Sequence, residues 1–242
     1  MCAMRFSVTK AMRTSTLSRC SNWNEEALIM KINWLAHATF AITSDAGTKI
    51  ITDPIANGEH MTYDELDESA DIVTVSHDHM DHCNVAAVRG NPEVLRESAE
   101  VKGIKLKAIP SYHDAIQGKD RGSNTMFSIE LDGIRVFHPG DLGHLLSDLD
   151  VKEIGKVDII FLPVGGHFTI DPMVAGQLCD QLKPKIIIPM HFKTDKCKMP
   201  IVGVDEFLKG KENVTRLDSS EVEFKSEELP DTARIIVMKP AL

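Results

Sequence analysis

From Met30 onward the chain alternates short apolar runs with turn-forming residues. Ile32–Leu35, Thr39–Thr43 and Lys49–Thr52 read as consecutive strands, with Asp45-Ala46-Gly47 as a turn. Asp64–Ala70 reads as a short helical or turn segment, and Ile72–Ser76 as a buried strand. Asn84–Arg89 and Pro92–Ala99 read as helix, with Pro92 suited to a first helical turn. Ile104–Ile109 predicts a strand. Asn124–Leu131 and Ile134–His138 flank Asp132-Gly133, a strong hairpin signal. Leu145–Ile154 reads as helix and Val157–Pro163 as a buried strand. Asp171–Leu182 reads as a helix with Asp171 as N-cap and Pro172 at the first helical position. Lys185–Pro189 predicts another buried strand and Val204–Lys209 a short helix. Val214–Leu217, Val222–Phe224 and Arg234–Met238 predict closing strands. Runs of strands that later alternate with helices imply stacked sheets covered by helices, an α/β layered domain.

The first 29 residues differ from the rest: Arg5, Lys10, Arg13 and Arg19 occur among Ser and Thr, and no acidic residue precedes Glu25. That composition resembles a mitochondrial transit peptide. A disordered extension ahead of a domain spanning 30–242 is the favoured expectation, with import as the alternative. The five cysteines show no CxxC spacing, which suits a reducing compartment, so a cytoplasmic protein is expected. A net charge of −9 disfavours non-specific nucleic-acid binding. No apolar run approaches the ~20 residues that span a bilayer.

The candidate chemistry lies where apolar runs stop. Directly after Ile72-Val73-Thr74-Val75 comes Ser76-His77-Asp78-His79-Met80-Asp81-His82. Such side chains gain nothing from a core and repel one another once protonated, but they make sense around a cation. Imidazole and carboxylate suit zinc, iron or manganese. His113, Asp141 and His191 each follow a further apolar run, and ligands at strand ends converge on one edge of an α/β structure. The count suggests two divalent ions. His77, His79 and His113 can supply nitrogens to one. Asp81, His82 and His191 can hold a second, with Asp141 bridging. Each ion then keeps an open position for a shared water, whose pKa can fall from about 15.7 to about 7.

The spacing His77-x-His79-x-Asp81-His82, followed by His113, Asp141 and His191, resembles the metallo-β-lactamase superfamily. Asp53 matches that superfamily's first motif, a supporting Asp. Trp34-Leu35-Ala36-His37-Ala38-Thr39-Phe40, Val164-Gly165-Gly166-His167-Phe168-Thr169 and Ile188-Pro189-Met190-His191-Phe192 resemble the small hydrolases related to ascorbate-6-phosphate lactonase. The resemblance implies a four-layer αββα sandwich. It also implies a hydrolase in which a bridging hydroxide attacks a small ester, lactone or phosphodiester. Zinc is the expected metal, and manganese, iron and nickel are compatible. A nuclease, or a metal-binding sensor without catalysis, is the alternative.

Asp78 is expected as a general acid or base, or as a hydrogen-bond partner of a ligating imidazole. His167 is expected to face the metals, because Gly165-Gly166 permits close backbone approach, and His37 to approach the substrate from another side. His144 is weighed equally between pocket and loop roles, His138 is expected in the core, and His60 on the surface. Lys119 and Lys193 are candidates for attracting an anion. The expected partner is a small, anionic molecule, with no nucleic acid or membrane, and a homo-oligomer is compatible.

Overall fold

The computed structural model describes residues 27–242. The extension expected over residues 1–29, whether disordered or an import signal, lies almost wholly outside that range. One sheet has six strands in the order β13 (Glu221–Phe224), β1 (Met30–Ala36), β2 (Thr39–Thr43), β3 (Lys49–Thr52), β4 (Ile72–Thr74) and β5 (Glu93–Leu95). The other has eight: β12 (Val214–Arg216), β14 (Arg234–Val237), β11 (Ile186–Met190), β10 (Ile159–Pro163), β9 (Ile134–His138), β8 (Ser123–Leu131), β7 (Ile104–Tyr112) and β6 (Ala99–Val101). Both sheets are mixed. β6 to β9 pair as antiparallel hairpins, whereas β9, β10, β11, β14 and β12 run parallel.

Alternation along the first sheet decides which face is covered by what. Met30, Ile32, Trp34, Phe40, Ile42, Ile50 and Ile72 enter the main core between the sheets, while Leu35, Ala41, Ile51 and Val73 point to the other face. Phe40 stacks on Phe161 of β10 with centroids 3.8 Å apart and planes at 8°, joining the two sheets. The helices α1 (Asp148–Ile154), α2 (Pro172–Leu182) and α3 (Val204–Leu208) add apolar side chains to the same core. Helix α2 begins as its sequence dictates: the Asp171 side chain accepts from the Val174 amide at 2.8 Å, and Pro172 needs no donor there. Among the described residues no helix is long and apolar enough to cross a membrane.

The outer face of the first sheet is where the expected helices are not found. Asn84–Arg89 is only a 3₁₀ turn at Val85–Ala87, and Pro92–Ala99 holds strand β5 and the start of β6 rather than a helix. Asp64–Ala70 forms no regular helix. The reason is the sheet edge: β5 pairs in parallel with β4, Val73 opposite Val94 and Thr74 opposite Leu95. Of its residues only Leu95 is buried, so a short edge strand leaves no alternation to detect. Leu66, Ala70 and Val88 cover the outer face from irregular chain. The helix expected over Leu145–Ile154 begins at Asp148, because Ser147 caps it in a capping box with Asp150.

β4, β9, β10 and β11 all end at one edge of the sandwich. Their following loops carry the polar clusters.

Candidate metal centre

Five strand ends build the centre. Asp53 follows β3, the loop 76–82 follows β4, His113 follows β7, Asp141 lies beyond β9, and His191 follows β11. The Asp141 Oδ2 atom is the hub, with His113 Nε2 at 3.1 Å, His191 Nε2 at 3.2 Å, His82 Nε2 at 3.3 Å and His77 Nε2 at 4.0 Å. Besides a buried trio of Asp53, His77 and His82, two other sets of donor atoms surround it. One comprises His77, His79 and His113, the other His37, Asp81, His82 and His191, and the atoms of each group lie within 4.8 Å of one another.

The donor set fits divalent cations. His82 Nε2, His113 Nδ1, both nitrogens of His191 and Asp141 Oδ1 are buried without hydrogen-bond partners. Buried polar atoms are normally paired, and so many orphans at one spot mark a place built to be filled. The donors are imidazoles and carboxylates with no thiolate, as hard or borderline ions require.

The surroundings hold these ligands in position. His82 Nδ1 donates to Asp53 Oδ2 at 2.8 Å, which fixes the tautomer that turns Nε2 toward the hub. Asp53 in turn accepts from the Ser76 amide at 2.8 Å and from the Ser76 hydroxyl. The Asp141 amide donates to Asn124 Oδ1 at 3.0 Å, and Asn124 Nδ2 donates to Pro139 O and Ser111 Oγ. Gly140 lets the chain pass here: its φ is +56°, and a Cβ would lie 2.4 Å from Asn124 Oδ1. Gly165 does permit a close approach, but to the backbone of His191, whose carbonyl oxygen would be 2.2 Å from a Cβ at that position.

Electrostatics point the same way. Burial opposes charge on His82, yet the Asp141, Asp81 and Asp53 carboxylates outweigh it and raise its pKa well above the ordinary 6.5. Burial likewise opposes charge on Asp141, yet His191 and His82 hold its pKa well below 3.8. Burial, then His82, pushes His77 down to about 3, which keeps it in the neutral, ligating form. The carboxylates thus favour positive charge on His82, whereas burial keeps His77, His79 and His37 toward their neutral forms.

The other candidates separate cleanly. The side chain of Asp78 is 82% exposed and pairs with Arg96 at 2.7 Å, away from the hub. His167 is exposed at φ +61° and meets Phe168 edge-on, and it is Phe168 that faces the centre. His37 is fully buried beneath the centre instead of facing a substrate. His138 is buried and hydrogen-bonded, as expected for a core group. His144 is tied up by the Tyr112 amide and the Leu145 carbonyl. His60, Lys119 and Lys193 are exposed.

A cleft of about 360 Å³ opens over His79, Asp81, His113, Asp141 and His191. Its remaining wall is Asp120, Arg121, Phe168 and Met199, none of which sequence reasoning assigned a role. Arg121 lies over the Phe168 ring at 5.6 Å. The Asp114 carboxylate accepts from the amides of Ile116, Gly118, Asp120 and Arg121, pinning the loop that carries them. An Asp just past a strand and ahead of Gly118 was the available signal for that turn. A larger concavity of about 530 Å³ lies near Cys179, Lys185 and Ile235, at the starting edge of β11 and β14. It contains none of the clustered ligands and is therefore not the candidate site.

Residues 31–191 match the Beta-lactamase superfamily domain. The chain belongs to the metallo-β-lactamase superfamily. A UPF0173 metal-dependent hydrolase of Pelotomaculum thermopropionicum is 32% identical over 197 residues, covering 68% of this chain and 85% of that protein. One from Thermococcus onnurineus is 29% identical over 195 residues, covering 69% and 86%. A crystal structure of a metallo-β-lactamase superfamily member from Thermotoga maritima superimposes with a TM-score of 0.71. It has 38% identity and covers 86% of this chain and 98% of its own. The protein is thus a metal-dependent hydrolase of the superfamily, with a His/Asp cluster able to bind metal.

Proposed function

We propose that this superfamily member binds two divalent ions, zinc being the first choice, and hydrolyses a small ester, lactone or phosphodiester. The observation that carries this reading is the single Asp141 oxygen set among histidine nitrogens, with a separate donor group on either side. His77, His79 and His113 would hold one ion and Asp81, His82 and His191 the other, with Asp141 between them. When bound, the ions supply Lewis acidity at the electrophilic centre and acidify a water for attack.

The chain's own residues do the rest. Asp53 keeps His82 in its ligating tautomer, and Asn124 fixes the backbone of Asp141. Arg121, half-buried against Phe168, is placed to orient an anionic part of the substrate. An apolar annexe of about 170 Å³, walled by Met61, Met80 and Met199, adjoins the cleft at Asp81 and suits an apolar arm. Asp120 is the cleft carboxylate outside the ligand groups, and it takes the proton-transfer role expected of Asp78. Arg121 is the one basic residue of this wall, which supports a small substrate over a nucleic acid.

The test is metal analysis followed by turnover of a matched panel of esters, lactones and phosphodiesters. The zinc-loaded chain should hydrolyse one class, and Asp141→Ala should lose both bound metal and turnover. Activity persisting in the metal-stripped chain, or in Asp141→Ala, would sink the proposal. A metal-loaded chain inert to every class would favour the sensor alternative.

A further inference from the structure

His37 occupies the turn between β1 and β2 with φ at +46°. Its carbonyl accepts from Trp34 Nε1 at 3.0 Å and from the His191 amide at 3.2 Å. Those two bonds carry its ring against that of His191, with centroids 3.9 Å apart. The residue is fully buried, yet neither ring nitrogen has a hydrogen-bond partner.

A second buried histidine shows what a structural role looks like in this core. His138 is equally inaccessible, but its Nε2 donates to the Ala38 carbonyl at 3.0 Å and its Nδ1 accepts from the Gly140 amide at 3.3 Å. His37 is not satisfied in this way. It shares its orphaned nitrogens with His82, His113 and His191, all of them candidate ligands.

The distances agree with co-ligation. His37 Nε2 stands 3.6 Å from Asp81 Oδ2, too far for a hydrogen bond. Asp81 Oδ2 stands 3.5 Å from His82 Nε2. Two donors each about 2.1 Å from one tetrahedral ion stand about 3.4 Å apart. The pairs Asp81–His37 and Asp81–His82 both match that separation.

The geometry points to His37 as a fourth protein ligand of the second ion, shared with Asp81, His82 and His191. The inference rests on the metal-dependent reading of the centre and on no particular substrate. It makes the two ions unequal. The first would be held by His77, His79 and His113, with exposed His79 at the cleft. The second would have four protein donors before Asp141 is counted, three of them fully buried histidines. Closed coordination is the mark of a structural ion and an open position the mark of a catalytic one. Substrate exchange is therefore assigned to the first ion.

The test uses the full chain, labelled with ¹⁵N-histidine, stripped of metal and titrated with zinc. The His37 ring signals are assigned with His37→Gln, or with His37→Asn if the first variant does not fold. The expected result is that His37 Nε2 moves to the metal-bound position along with His82 and His191 as zinc fills the centre. By chelator competition, His37→Gln should keep one zinc at wild-type affinity and bind the other at least about tenfold more weakly. A hydrogen-bonded supporting residue could also weaken binding, but its ring nitrogen would not show direct metal ligation. Two bound zinc ions with an unshifted His37 ring would overturn the inference and leave the metal reading standing. A wild-type chain that takes up no zinc would overturn both.

Discussion

Asp53→Asn is the sharpest probe of how the centre is held. The side chain is fully buried, and its two oxygens meet three donors: the Ser76 amide, the Ser76 hydroxyl and His82 Nδ1. Asn has the same shape but only one acceptor oxygen. If that oxygen keeps the Ser76 amide, the new NH₂ confronts His82 Nδ1. The proton of His82 must then move to Nε2, the atom that faces Asp141 at 3.3 Å and would bind metal. If the oxygen keeps His82, the NH₂ faces the Ser76 amide, donor against donor. Loss of such a support typically weakens metal binding about 10–100-fold, or about 1.4–2.7 kcal/mol. Leaving a buried group unpaired costs the metal-free fold a further ~1–3 kcal/mol.

Zinc competition against a chelator measures the first effect, and thermal unfolding of the stripped protein the second. There is also a pH signature. Burial opposes charge on Asp53, but His138 and His82 hold its pKa below 3.8. Its share of stability is therefore present above that value and lost as pH falls through the lower folded value. The variant should lack that acid limb. Zinc affinity within twofold of wild type, together with an unchanged acid limb, would refute the reasoning.

Two further outcomes follow from the same geometry. The Asp141, Asp81 and Asp53 carboxylates raise the pKa of His82 and so favour its protonated form in the metal-free chain, and zinc uptake should release protons. Calorimetry in buffers of different ionisation heat reads this directly. Zinc affinity should rise with pH until the folded pKa of His82 is passed. Heats independent of buffer would contradict the assignment. Asp78→Asn, at an exposed carboxylate paired with Arg96, should leave kcat/KM and metal content within about twofold of wild type. A large loss of kcat alone would return Asp78 to the chemistry.

The ligand cluster was legible because each member follows an apolar run that has no use for it. His77, His113, Asp141 and His191 all betray strand ends, and the central strands announced themselves as short apolar runs bounded by turn residues. Edge strand β5 did not, since a strand with one buried side chain carries no period. Asp78 and His167 misled for a related reason. Sequence adjacency to ligands does not fix side-chain direction, and alternate residues of a tight loop point opposite ways. Asp78 turns out to Arg96 while His77 and His79 turn inward. Arg121 and Asp120 reach the cleft only because Asp114 gathers four amides into one turn, a three-dimensional event no linear spacing records. His37 was placed near the site, but its burial under His191 depends on a contact between two sheets.

That last contact exposes a property of the whole centre. Asp53, His77, His79, Asp81 and His82 hang from the first sheet, whereas His113, Asp141 and His191 hang from the second. Cations bound there cross-link the two sheets at the edge where the core gives way to loops. Without them, the contacts of Asp141 with these histidines are ion pairs only where an imidazole is protonated, and the sheets keep bonds such as His191 N–H to the His37 carbonyl. An ion present at 100 times its dissociation constant stabilises the folded state by about 2.7 kcal/mol, and at 1,000 times by about 4.1. The stripped protein should therefore melt several degrees lower than the zinc-loaded one. Hydrogen exchange should locate the loosening in the loop 76–82 and around 113 and 191, leaving the Phe40–Phe161 region protected. A melting temperature indifferent to zinc and chelator would mean that the sheets are locked by packing alone. Uniform loss of protection across both sheets would mean instead that metal and fold are inseparable.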